Sequence, residues 1–206
     1  GRAMVASGST LEIWDMRAGE RVFSAPVAAG AIRSLEVRPD GGMVLLGDSG
    51  GTVQEWDPER REVARRLPTG LPLVAATYAP DASRALCVGS VPPTLKEIDL
   101  STGAERIVIQ GAMHSFGFAV YAADGKTAFA GGSAGSEAVL AHYDLATGTL
   151  LKAWHKDYTS YGRSPLLSPD GQRLLAGTRH LAVEFAIDGH QEIGRCQGHH
   201  GHAVTA

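Results

Sequence analysis

Histidines, serines and a glycine-rich run are the residues of this 206-residue chain whose types could do chemistry. His199, His200 and His202 flank Gly201 near the end of the chain, and imidazoles so placed could ligate a transition metal. Such a site needs further ligands in fixed geometry, and the spacing supplies none, so the cluster is read as a loop. His114, His142, His155, His180 and His190 are scattered along the chain. Ser115, Ser133, Ser136 and Ser160 are not read as activated nucleophiles, because no strained strand-to-helix elbow carries one. Gly131-Gly132-Ser133-Ala134-Gly135 resembles a phosphate cradle in composition, but a strand pattern follows it instead of a helix, which predicts a hairpin turn. No cofactor fingerprint and no metal centre is expected.

Aspartates form the more regular signal. Asp15, Asp57, Asp99, Asp144 and Asp188 stand 42, 42, 45 and 44 residues apart, each closing an apolar-rich run: TLEIWD, TVQEWD, TLKEID, VLAHYD and VEFAID. A second row, Asp40, Asp81, Asp124 and Asp170, sits in RPDG, APDA, AADG and SPDG at steps of 41, 43 and 46. Two markers on one period indicate an internal repeat, and 40–45 residues is the length of a four-stranded propeller blade. The aspartates are read as turn residues that accept hydrogen bonds from their own backbone. Arg60, Arg61, Arg65 and Arg66, interleaved with Glu59 and Glu62, are read as a solvated outer strand.

The elements follow from alternation. In the second repeat, Ile32–Val37, Met43–Leu46, Thr52–Trp56 and Val63–Leu67 read as strands a to d, counted from the inside out. Strand b is almost wholly apolar, as a strand covered on both faces requires. The third repeat places strands at 74–78, 84–88, 94–98 and 104–109, the fourth at 116–121, 127–130, 138–143 and 150–154, and the fifth at 164–167, 173–176, 182–187 and 192–196. The first repeat has strands b to d only. Trp14 and Trp56 are both expected to pack between blades. Blade boundaries fall near 1–28 (partial), 29–70, 71–111, 112–157, 158–198 and 199–206, the last opening a further repeat. Because the chain starts inside a repeat, residues before Gly1 are expected.

Composition is that of an ordinary soluble chain: 44% hydrophobic, 20% charged, net charge −3. This gives no reason to expect nucleic acid or an anionic membrane as a partner. No apolar run approaches a membrane span, and a cytoplasmic location is expected. Cys87 and Cys196 occupy apolar strand positions and are expected to be buried free thiols; a disulfide is the alternative.

Trp14-Asp15, Trp56-Asp57, the Pro-Asp-Gly turns, Gly198-His199 and the period together resemble the WD-repeat β-propellers over essentially the whole chain. The later repeats, as in HYDLATGTLLKAW, are also similar to the YVTN-type propellers of bacteria and archaea. The resemblance implies an all-β propeller of four-stranded antiparallel blades round a channel, about five of them here within a larger, usually seven-bladed ring. Gly-His occurs once, and Ile98, Tyr143 and Ile187 replace tryptophan. Few blades can therefore build the family's His–Ser/Thr–Trp–Asp network, so apolar packing should carry stability.

The resemblance also places the d–a and b–c loops on one upper face. There, His114, Phe116, Tyr158, Tyr161 and Arg163 form the expected protein-binding surface, beside an extended 132–137 loop. The expected role is a non-catalytic protein- or peptide-binding scaffold within a larger bacterial protein. The rivals are a hydrolase or quinone-dependent oxidoreductase with a channel site, and a structural spacer. Open blade edges are expected to promote self-association.

Overall fold

The computed structural model describes residues 1–111, 113–135, 137–156, 165–177, 181–188 and 191–197. Every regular element among them is a strand. The first sheet holds β1 (Arg2–Ser7), β2 (Thr10–Asp15) and β3 (Glu20–Pro26), in chain order. The second holds β4 (Ile32–Val37), β5 (Val44–Asp48), β6 (Thr52–Asp57) and β7 (Glu62–Pro68). The third holds β8 (Leu73–Tyr78), β9 (Arg84–Ser90), β10 (Pro93–Asp99) and β11 (Glu105–Gln110). The fourth holds β12 (Ser115–Tyr121), β13 (Thr127–Ala134), β14 (Glu137–Asp144) and β15 (Leu150–Lys156). The fifth holds β16 (Leu166–Leu167), β17 (Arg173–Gly177), β18 (Leu181–Ala186) and β19 (Gln191–Gln197). Each sheet is an antiparallel meander, and each is one blade of a β-propeller segment. Among the described residues the first blade has no innermost strand, as its sequence predicts.

Apolar side chains from facing blades fill the space between them in four layers. Leu11, Ile13, Val44, Leu46 and Trp56 join the first and second blades. Leu45, Val53, Leu73 and Ile98 belong to the layer between the second and third. Phe116, Tyr121, Ala128 and Tyr143 belong to that between the third and fourth, and Phe118, Leu140, Leu174 and Phe185 to that between the fourth and fifth. Val44, Leu45 and Leu46 are fully buried because β5 is covered on both faces. Outer strand β7 alternates exposed with half-buried residues, as an edge with one packed face should.

Two expectations are corrected by this packing. Trp56 is 0% exposed, with its ring 5.4 Å from that of Phe23. Trp14 is only half-buried. In β2 the odd residues Leu11 and Ile13 face the second blade, so Trp14 points to the side where no blade stands among the described residues. Cys87 is buried but Cys196 is exposed, because β19 is an outermost strand of the last blade; both thiols are free.

The glycine-rich run of the fourth blade is also not the loop expected. Strand β13 continues through Ala134 and pairs with β14 up to Ala134 opposite Glu137. A side chain at Gly131 would run into the Phe118 ring, and one at Gly132 into the Ser115 carbonyl. These glycines let β12 bulge between Phe116 and Phe118 while keeping its pairing with β13.

Candidate interaction surfaces

Both aspartate rows lie on one side of the blades, since a–b and c–d turns share that end of the meander. Asp15 Oδ1 accepts the amides of Arg17 and Ala18, and Asp57 Oδ1 those of Glu59 and Arg60. Asp99 and Asp144 repeat the pattern with Ser101, Thr102 and Thr147. In the second row, Asp40, Asp81, Asp124 and Asp170 accept from the amide two residues on. Hydrogen bonds from the Ser101 hydroxyl, then from the Thr102 amide and hydroxyl, hold Asp99 down at about 2. These carboxylates close turns, as their spacing predicts. Asp188 follows β18 in the same relative place and is exposed.

Polar groups that sequence reasoning missed cross between blades. Gln54 Nε2 donates to the Val27 carbonyl at 3.0 Å, and Lys96 Nζ to the Thr69 carbonyl at 2.6 Å. Gln54 and Lys96 each stand three residues before a repeat aspartate, and Val27 and Thr69 each open a d–a connection. One residue later in the same strands, Glu55 accepts the Tyr78 hydroxyl at 3.0 Å and Glu97 the Tyr121 hydroxyl at 2.9 Å. Glu97 also takes Arg84 at 2.8 Å and Arg106 at 2.5 Å, so its buried charge is paired on two sides. Burial, then the facing carboxylate, raises the hydroxyl pKa of both tyrosines. The signal was available: glutamate two before one marker and tyrosine three before the next recur together in these repeats.

The opposite side carries the d–a and b–c connections. His114 is exposed there, and its Nδ1 accepts the Gly135 amide at 2.7 Å. Below it the hydroxyls of Ser115 and Ser133 meet at 2.7 Å. Gly131-Gly132-Ser133-Ala134-Gly135 has the lettering of a nucleophile elbow, but Ser133 lies inside a β-ladder. The His114 lone pair that could serve Ser115 is already used. Phe116 is 2% exposed, within the core between the third and fourth blades. It cannot contact a partner; the bulge in β12 and its register with β13 turn its ring inward. Tyr158, Tyr161, Arg163 and His199 lie outside the described residues. In the second blade, Arg60 and Arg61 are exposed in the turn before β7, and on β7 itself Arg66 is exposed and Arg65 half-buried. Arg66 reaches Gln54 and the Val27 carbonyl, and Arg61 lies 5.7 Å from the Phe23 ring centre.

Inside, strands β4, β8, β12 and β16 wall a cavity of about 540 Å³. Among its described lining residues the charged groups are Arg33 and Glu36. Glu36 Oε2 accepts the Tyr78 amide at 2.8 Å, and burial raises its pKa despite that bond and one from Thr77. No group of three His, Cys, Asp or Glu among the described residues is placed to hold a metal ion. No helix among them is long and apolar enough to cross a membrane.

No family model matches the chain. It is 32% identical over 110 residues to U3 small nucleolar RNA-associated protein 15 of Schizosaccharomyces pombe, a match covering 52% of this chain and 22% of that protein. The fold is similar to that of Kuenenia stuttgartiensis hydrazine synthase, with a TM-score of 0.75 at 16% identity over 92% of this chain and 60% of the solved one. The chain thus spans about a fifth of the curated relative and three fifths of the solved chain. With five meander sheets stacked face to face, these likenesses make the chain a β-propeller-type repeat architecture.

Proposed function

We propose that this segment is a non-catalytic interaction module, and that its partner docks on the rim formed by the fourth blade's connections. One observation carries the reading. Counted along the sequence, the connection between β15 and β16 has nine residues, 157–165, against five at 27–31 and four each at 69–72 and 111–114. That connection leaves β15 where Lys156 pairs with Ala138, next to the β13–β14 tip that His114 holds. It contains Tyr158, Tyr161 and Arg163, types that dominate binding energy when carried on a rigid scaffold. A larger ring would supply the neighbours that the first and fifth blades do not have among the described residues.

Pull-downs with matched variants test the reading. Tyr158→Ala with Tyr161→Ala should abolish capture of a partner held by the parent chain, with far-ultraviolet circular dichroism unchanged. Arg60→Glu with Arg65→Glu should leave that capture intact. The opposite pattern moves the binding surface to the outer strands and discards the rim.

A further inference from the structure

The cavity between the inner strands has one uncommitted charge. Ser34 Oγ accepts the Ala76 amide at 2.8 Å, and Glu36 is held by Tyr78 and Thr77. Arg33 is exposed and, among the described residues, makes no hydrogen bond or ion pair. Facing it across the cavity are apolar groups, Ala119, Val120, Leu166 and Leu167. At about 540 Å³ the space is that of an ordinary ligand pocket.

The edge of β12 adds a main-chain donor. The Ala122 amide donates to Thr127 across the a–b turn. By alternation the Ala119 and Tyr121 amides therefore point away from β13, into the cavity side. Their counterparts in β8, Ala76 and Tyr78, are taken by Ser34 and Glu36 of β4. Where β4 has Ser34, β8 has Ala75, which has no side-chain acceptor to offer Ala119.

The geometry points to a binding site for the C-terminal end of an extended peptide whose last residues are apolar. The terminal carboxylate sits on the Arg33 guanidinium, which is built for two parallel bonds to such a group. The apolar side chains lie against Val120 and Leu166, and a peptide carbonyl takes the Ala119 amide, as in strand addition to a sheet edge. A free aliphatic acid offers the same carboxylate but cannot use that amide. The site is walled by the inner strands, and its test requires no protein partner.

The test uses the whole chain and a fluorescent six-residue peptide, four alanines followed by leucine and valine, with a free C-terminus. Fluorescence anisotropy should report saturable binding. Amidating the C-terminus, or Arg33→Gln in the protein, should weaken it at least ten-fold, and Arg33→Lys should recover part of the loss. Arg33 is exposed, so the variant's melting curve should match the parent's. Tyr158→Ala with Tyr161→Ala should leave peptide binding unchanged. Absence of binding, equal affinity for acid and amide, or indifference to Arg33→Gln overturns the proposal. Displacement by octanoate at concentrations equal to the peptide's also overturns it, in favour of a free acid.

Discussion

Trp56 brings both sides of the residue-scale balance together. It is fully buried between the first two blades, yet its indole nitrogen has no hydrogen-bond partner. The half-buried counterpart, Trp14, donates to Glu12 at 3.0 Å. Removing the Trp56 ring should cost about 3–5 kcal/mol. Trp56→Phe keeps most of the apolar volume and removes a buried unsatisfied donor, which relieves about 1–3 kcal/mol. We therefore expect Trp56→Phe to melt close to the parent and Trp56→Ala far below it in urea unfolding. Equal losses in both would mean that the ring's packing contributes little. Tyr121→Phe removes one bond to a charged, buried carboxylate and should cost about 1.5–3 kcal/mol. A loss within error would show that the Arg84 and Arg106 pairs satisfy Glu97 alone.

Strands, not single residues, set the behaviour of Glu36. It links β4 to β8 through the Tyr78 amide while burial disfavours its charge. Its folded-state pKa is raised, so the folded protein binds this proton more tightly than the unfolded chain does. Stability then falls as pH rises from the unfolded value through the folded one. Glu36→Gln retains an acceptor oxygen and carries no charge. The variant should melt at or above the parent at pH 7, with the difference shrinking as pH drops below the ordinary carboxylate range. A variant that melts below the parent at pH 7, with the deficit vanishing at low pH, would show that the charge on Glu36 strengthens the strand contact. The turn aspartates act with the opposite sign: their pKa values are lowered, so their contribution is lost as pH falls through the folded values. In the fourth blade, Gly132→Ala would drive a methyl group into the Ser115 carbonyl. A cost on the order of 1–3 kcal/mol is expected, with loss of amide-exchange protection centred on β12 and β13. Unchanged protection would mean that the bulge relaxes freely.

At the scale of the molecule, the end blades differ from the inner ones. Each inner blade is covered on both faces, whereas the first and fifth each have one face without a partner among the described residues. The first exposes Val5 at 46% beside Trp14, and the fifth exposes Leu166 at 51% and Ile193 at 51%. The inner edge of β1 has no strand beside it among the described residues. Such faces and edges associate. The isolated chain should sediment as a concentration-dependent mixture, and Val5→Lys with Trp14→Lys should shift it toward monomer. A single sharp monomer boundary for the parent at all concentrations would contradict this.

Period and alternation are properties of the chain itself, so the repeat, the strand content, the turn role of the aspartates and the three-stranded first blade are legible in the sequence alone. Contacts between repeats were not. Whether Trp14 or Trp56 is buried depends on which blade faces each ring, and the two dipeptides are identical in sequence. Phe116 reads as a rim aromatic until the bulge in β12 and its register with β13 turn it inward. The glycine run reads as a loop because glycine serves a turn and a close approach equally well. The blade-crossing bonds of Gln54, Lys96, Glu55 and Glu97 join residues 23 to 27 positions apart. Only stacking of the sheets brings them together, because a hydrogen bond requires two groups within about 3 Å and strand pattern alone says nothing about the neighbouring blade.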